Sequence, residues 1–242
     1  LTDHDNLCGA MHFAQVAKTL EMQTITGAEI TLNDGSHLTL LAETQQGYSN
    51  LSNIISYAYI SGDRKNPAFD IKHLSEMAQG LVLLTGCRQG RLPSLVAEGR
   101  HREAEDQLRQ YLDWFGTSNV FVELQHNLVQ GDTPRIRRLV DLANRYGVST
   151  VATNNVHYHI PDRHRLQDAL VAISNNQSLE ETHRQRRPNR HFHLKSPEEM
   201  SNLFLECPTA VKNTLRIADR CGFDITRDMG YRFPDYPVPE GF

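Results

Sequence analysis

Histidine, cysteine and carboxylate side chains recur in this sequence at the ends of short apolar runs. Asp3 and His4 follow Leu1-Thr2, Glu29 closes Gly27-Ala-Glu29, Cys87 comes just after Leu84-Thr85, and His157 lies past Val151-Ala-Thr153. If those runs are parallel strands, their carboxyl ends converge on one face, where residues remote in sequence meet. His37 opens the run His37-Leu-Thr-Leu-Leu-Ala42, and it joins them if its strand is antiparallel or displaced. Imidazole, carboxylate and thiolate together suit zinc, manganese or iron. Several such ions close together would activate a water and clamp a phosphate, the chemistry of metal phosphoesterases.

Each residue also has a plainer use. Asp3 and Asp5 suit the cap of a first helix, and Cys87 suits a buried small apolar residue. Among twelve histidines, His12, His73 and His101 have nothing that pairs them with a ligand and read as structural. The stretch His183 to Arg190 holds four arginines and no acid. It reads as a solvated loop, with contact to nucleic-acid phosphate or a partner subunit as the alternative.

The elements that must position these groups follow from periodicity. Leu7, Ala10, Met11, Ala14, Ala17 and Leu20 form one helical stripe. Two apolar runs, 24–32 and 37–42, flank Asn33-Asp34-Gly35 and predict a hairpin. A helical period returns over 48–60, the continuous run 80–85 predicts a strand covered on both faces, and Ala104, Leu108, Leu112 and Phe115 mark a helix. A strand over 120–124 precedes a helix capped by Asp132 or Thr133, with Pro134 in its first turn. A strand over 148–153 precedes a helix capped by Asp162 that carries Leu166, Ala169, Leu170 and Ile173. Ser196-Pro-Glu-Glu199 is a capping box, and Gly222 closes a last helix that starts near Thr209. Strand and helix alternate, which calls for an α/β barrel or a doubly wound sheet.

The 242 residues, 39% apolar, suffice for one large domain or two small ones with a proper core. A net charge of −4 argues against a surface that grips nucleic acid as a whole. Four scattered cysteines write neither a zinc ribbon nor a disulfide framework and fit a reducing cytoplasm. There is no apolar run of membrane-spanning length and no leader, so no membrane partner is expected. The ends read as cut from something longer, with residues 227–242, which include Pro234, Pro237 and Pro239, as a linker.

Several stretches resemble the PHP (polymerase and histidinol phosphatase) domain of bacterial DNA polymerase III alpha subunits. They are Leu1-Thr-Asp-His-Asp5, Gly27-Ala-Glu29, His37 to Ala42 followed by Gly47-Tyr-Ser-Asn-Leu51, Leu84-Thr-Gly-Cys87, Val151 to His157, His193 to Met200, and Asn213 to Cys221. Val156-His-Tyr-His159 followed by Arg165-Leu-Gln-Asp168 is similar to the error-prone paralogue. The resemblance implies a distorted (β/α)7 TIM-like barrel over residues 1–226, lacking its first strand, and a linker over 227–242 towards a polymerase core. It carries His4, Glu29, His37, Cys87 and His157 onto metal-site positions, with Asp3 beside them, and implies up to three divalent ions: zinc, manganese or iron, or magnesium.

Two departures from the family pattern matter. The family's His-x-His motif would precede Leu1, and Asn155 stands where the family has a metal-binding Asp. An amide oxygen is a neutral and poorer ligand, so one metal position reads as lost. His4 and His157 remain for a second ion, and Glu29, His37 and Cys87 for a third. The implied function is the PHP module of a DNA-directed DNA polymerase in replication or error-prone repair synthesis, with a weakened 3′–5′ exonuclease-type site. Its implied partners are the polymerase core of the same chain, DNA through the intact polymerase, and a proofreading or clamp subunit. A free-standing phosphatase acting on histidinol phosphate or a nucleotide is the alternative, and a purely structural barrel the third reading.

Overall fold

The computed structural model describes residues 1–62 and 66–230. Six strands lie side by side in chain order: β1 (Thr2–His4), β2 (Gly27–Thr31), β3 (His37–Ala42), β4 (Leu81–Leu84), β5 (Val120–Gln125) and β6 (Ser149–Thr153). β1 and β2 are parallel, β3 is antiparallel to both β2 and β4, and β4, β5 and β6 are parallel. Five strands therefore point one way and β3 is reversed. That reversal brings the start of β3, His37, to the end of the sheet where the other strands finish. The hairpin at Asn33-Asp34-Gly35 makes the reversal, with Gly35 at φ 77° and Asp34 accepting from the Ser36 backbone at 3.0 Å. Among the described residues the sheet is open, since β1 and β6 do not pair.

Eight α-helices surround it: α1 (Ala10–Thr19), α2 (Gln45–Ser61), α3 (Arg91–Ala97), α4 (His101–Phe115), α5 (Asp132–Tyr146), α6 (His164–Asn175), α7 (Pro197–Leu203) and α8 (Pro208–Arg220) among the described residues. Strand alternation divides the apolar side chains between two faces. Ala28, Ile30, Leu38, Leu40, Leu81, Leu83, Val122 and Leu124 pack with residues of α2 to α5 in the main core. Each fully buried leucine, isoleucine or phenylalanine there contributes about 1.5–3 kcal/mol relative to exposure. The opposite face carries Leu41, Val82, Leu84, Phe121 and Val151, covered by Ile217 of α8 and by Cys221.

Helix α8 also ties the two sides of the open sheet. Asn213 donates to the Thr150 carbonyl at 2.8 Å, while Gln23 donates to the carbonyls of Ala218 and Cys221 at 3.1 and 3.3 Å. One face is thus apolar at one end, where α8 lies, and polar at the strand carboxyl ends.

The hairpin, the buried strand β4 and the capping box at Ser196 stand where the sequence places them. Other expectations need correction. Asp5 does not cap α1; it accepts from the Thr31 backbone and hydroxyl, both at 2.7 Å, and so fastens the end of β2. Met11 and Leu20 of the first apolar stripe are exposed, and the small Ala10, Ala14 and Ala17 make the contact. Asp162 caps nothing with its side chain, and Leu166, Leu170 and Ile173 of α6 face solvent. Helix α8 is capped at Cys221, before Gly222. Of the expected linker, residues 231–242 lie outside the described residues.

The carboxylate of Asp132 likewise does not cap α5. It turns back to accept from the backbone of Asn127 and Val129 at 2.9 and 3.0 Å, and it pairs with Arg135 at 2.7 Å, both side chains buried. Removing one partner strands a buried charge, so Asp132→Ala is expected to cost about 3–5 kcal/mol. Glu206→Ala, which breaks the exposed pair with Arg137, should leave stability nearly unchanged. Urea unfolding midpoints of the two variants check this; similar midpoints would contradict the assigned role.

Candidate metal centre

Register decides which side chains share the polar end of the sheet. His4 pairs with Glu29 across β1 and β2, and Thr31 pairs with His37 across β2 and β3. All therefore stand on one face, whereas Asp3, opposite Ala28, stands on the other. A carboxylate oxygen of Asp3 lies 2.8 Å from where a Cβ on Gly9 would sit. The structure thus brings His4, Glu29 and His37 together and leaves Asp3 outside their cluster.

Glu29 is the hub. Its Oε1 lies 2.6 Å from His37 Nδ1 and accepts from the Cys87 thiol at 3.2 Å, and its Oε2 lies 3.7 Å from His4 Nε2. The Cys87 sulfur is also 3.4 Å from His37 Nδ1. One ligand atom from each of His4, Glu29 and His37 lies within 4.8 Å of the others, the spacing at which one ion can be shared. Burial pushes the Glu29 carboxyl up, but the hydrogen bond from His37 and the charges of His4 and His37 outweigh it and hold the group below the usual carboxylate range. Burial, then the Glu29 charge, pushes the Cys87 thiol well above its ordinary value, keeping it a protonated donor. A divalent ion reverses that balance, because it stabilises the thiolate.

A close turn places Cys87. Gly86 has φ 92°, and a Cβ there would fall 2.5 Å from the His37 carbonyl oxygen, so only glycine fits between the loop and β3. The Gly86 amide donates to Glu123 Oε2 at 3.0 Å. Glu123, buried on β5, also accepts from Gln125 at 3.0 Å and from the Thr153 hydroxyl. Burial pushes its carboxyl above the ordinary range, partly offset by those hydrogen bonds. Sequence reasoning missed Glu123, although an acid within Val120-Phe-Val-Glu-Leu124 was the visible signal.

His157 approaches from the loop after β6, where its backbone donates to the Phe192 carbonyl at 2.9 Å. Its Nε2 is buried and has no hydrogen-bond partner among the described residues. Burial, with Arg187 and His4 nearby, pulls its pKa down to about 4, so the imidazole is neutral and keeps a lone pair. A buried polar nitrogen left unpaired is costly, and a metal ion is a partner that suits it. The donor set of imidazole, carboxylate and thiol therefore fits a divalent ion. Asn155 lines a small cavity with Cys87, Gln125, Arg187 and Phe192.

A largely parallel sheet with such donors gathered at one end is an α/β domain with a candidate metal site. The chain belongs to the PHP domain family, whose model, described as "PHP domain", matches residues 1–127. It is 37% identical to an error-prone DNA polymerase of Symbiobacterium thermophilum and 36% identical to a DNA polymerase III subunit alpha of Treponema pallidum. An error-prone DNA polymerase of Mycobacterium tuberculosis is 37% identical. Each match covers 100% of this chain and 24%, 22% and 23% of the respective relative. The chain thus spans under a quarter of their length.

Two outcomes follow. In metal-free buffer the neutral His157 opposes acid. Its folded pKa of about 4 lies below the ordinary value of about 6.5. The unfolded chain therefore binds the proton first, and the contribution present above pH ~6.5 is lost as pH falls towards ~4. His157→Gln should flatten urea stability measured across that window, and an unchanged slope would refute the assignment. Glu29→Gln should lower bound zinc or manganese at least about tenfold by elemental analysis, and retention of full metal content would remove Glu29 from the ligand set.

Proposed function

We propose that this chain is the PHP module of a DNA polymerase III alpha-type or error-prone polymerase, carrying a weakened metal-dependent phosphoesterase site. The carrying observation is the convergence of His4, Glu29, His37 and Cys87 at one end of the sheet, in a chain that aligns over its whole length with such polymerases. Residues 1–226 form the module, a (β/α)7 TIM-like barrel whose first strand lies outside this sequence, and residues 227–242 lead to the polymerase core. The open β1 edge agrees with that reading. DNA is reached through the intact polymerase, in the cytoplasm, with a proofreading or clamp subunit as a further partner. No described helix is long and apolar enough to cross a membrane.

His4, Glu29, His37, Cys87 and His157 would hold one or two divalent ions, with zinc, manganese or iron suited to the donors. A bound ion would supply an activated water and neutralise phosphate charge. The chain's own residues do the rest. Glu29 orients His37, Glu123 fixes the loop that presents Cys87, and half-buried His157 remains neutral and available. Asn155, an amide lining the same cavity as Cys87, supplies no charge where a carboxylate would, and this is the basis for calling the site weakened.

The test joins metal analysis to cleavage of a 3′-labelled single strand, on the chain and on Asn155→Asp. Metal binding with slow cleavage, and a gain of about tenfold or more with the added carboxylate, is the expected result. If neither form binds metal, the module is a scaffold.

A further inference from the structure

The arginine-rich loop ahead of α7 contains side chains in two different situations. Arg186 is paired with Asp168 at 3.1 Å, so its charge is matched on the protein. Arg187 stands over the Phe192 ring, 5.2 Å from the centroid, and lines a cavity of roughly 130 Å³ together with Cys87, Gln125 and Asn155. It is half-buried, and among the described residues no carboxylate comes within ion-pair distance of it; Glu29 acts on it only through space. Arg135 shares the cavity but is matched by Asp132 at 2.7 Å. Arg88, at the rim, donates to the Gln130 carbonyl at 3.5 Å and likewise has no carboxylate among the described residues.

A partly desolvated guanidinium without a counter-charge is unfavourable, and an incoming anion relieves that cost. The Phe192 ring lies against the guanidinium, whose fork of N–H donors suits a tetrahedral oxyanion. The cavity is several times the ~30 Å³ that one water occupies in the liquid, which is room for a phosphoryl group. It also adjoins Cys87, a member of the ligand cluster.

We propose that Arg187, with Arg88 at the rim, binds the phosphoryl group of a phosphoester in the cavity between Cys87 and Asn155. The identity of the anion rests on the phosphoesterase reading above. The two are separable by experiment.

Inorganic phosphate is titrated calorimetrically into the chain, metal-free and manganese-loaded, beside Arg187→Met, Arg187→Lys and Arg186→Ala, with melting curves to establish folding. Arg187→Met should weaken phosphate binding about tenfold or more, Arg187→Lys severalfold, and Arg186→Ala not at all. Should the Met variant melt early, Arg187→Lys, which keeps its stem and charge, decides. Undiminished binding by the folded Arg187 variants, or no binding by the unmodified chain in either buffer, overturns the proposal. Phosphate binding that depends on Arg187 in a chain that cleaves no labelled strand keeps the clamp and removes the phosphoesterase reading. Cleavage with phosphate affinity indifferent to Arg187 does the reverse.

Discussion

Two carboxylates, Glu29 and Glu123, are buried on the same face of one sheet, and the arrangement around them is a response to that cost. Desolvation pushes both carboxyls up, and their proximity adds to the effect on Glu123. They are accommodated differently. Glu29 gathers imidazoles and a thiol, which keep it charged. Glu123 receives a backbone amide, an amide side chain and a hydroxyl, neutral donors that satisfy its oxygens but add no positive charge. The first solution makes a candidate centre for a cation; the second pins the loop that presents Cys87.

The geometry of that centre rests on the single reversed strand. Were β3 parallel to its neighbours, His37 would begin at the far end of the sheet, about 17–20 Å away for a strand of ordinary length. The hairpin at Asn33-Asp34-Gly35 prevents this, and Asp5 fastens its first strand by two hydrogen bonds. Covering the apolar end of the same face falls to α8, which leaves the polar end for chemistry. Fold and site are therefore set by one alternation pattern read at its two ends.

Much of this was legible in the sequence because it depends on local rules. Turn residues revealed the hairpin, an unbroken apolar run revealed β4, and Ser196 with Glu199 revealed a helix start. The condition attached to His37, that its strand run antiparallel, is the one the structure meets. What stayed hidden depends on register and on long-range partners. Asp3 and His4 are adjacent letters, but alternation sends them to opposite faces. Asp5 and Asp132 look like caps by type and position, yet Asp5 bonds to backbone reached only by folding, at Thr31, and Asp132 turns back to the loop before its helix, at Asn127. Glu123 stands in a run whose other members are apolar, so the pattern marks the strand and not the acid. The stripe on α6 has helical periodicity and still faces solvent, since periodicity establishes a helix and not which surface covers it.

The ligand cluster has a further consequence for how metal binding relates to folding. Glu29, His37 and Cys87 satisfy one another through short contacts, so these groups are paired by the protein itself. Many small metal domains are unfolded without their ion because bare ligands repel or lie unpaired. Here the main core, built on α2 to α5, lies on the face of the sheet opposite Glu29 and His37. An ion must displace the hydrogen bond from the thiol and compete with imidazole contacts to the carboxylate, which lowers its net affinity. In return the donors are already positioned, and His157, with an unpaired buried nitrogen, gains a partner.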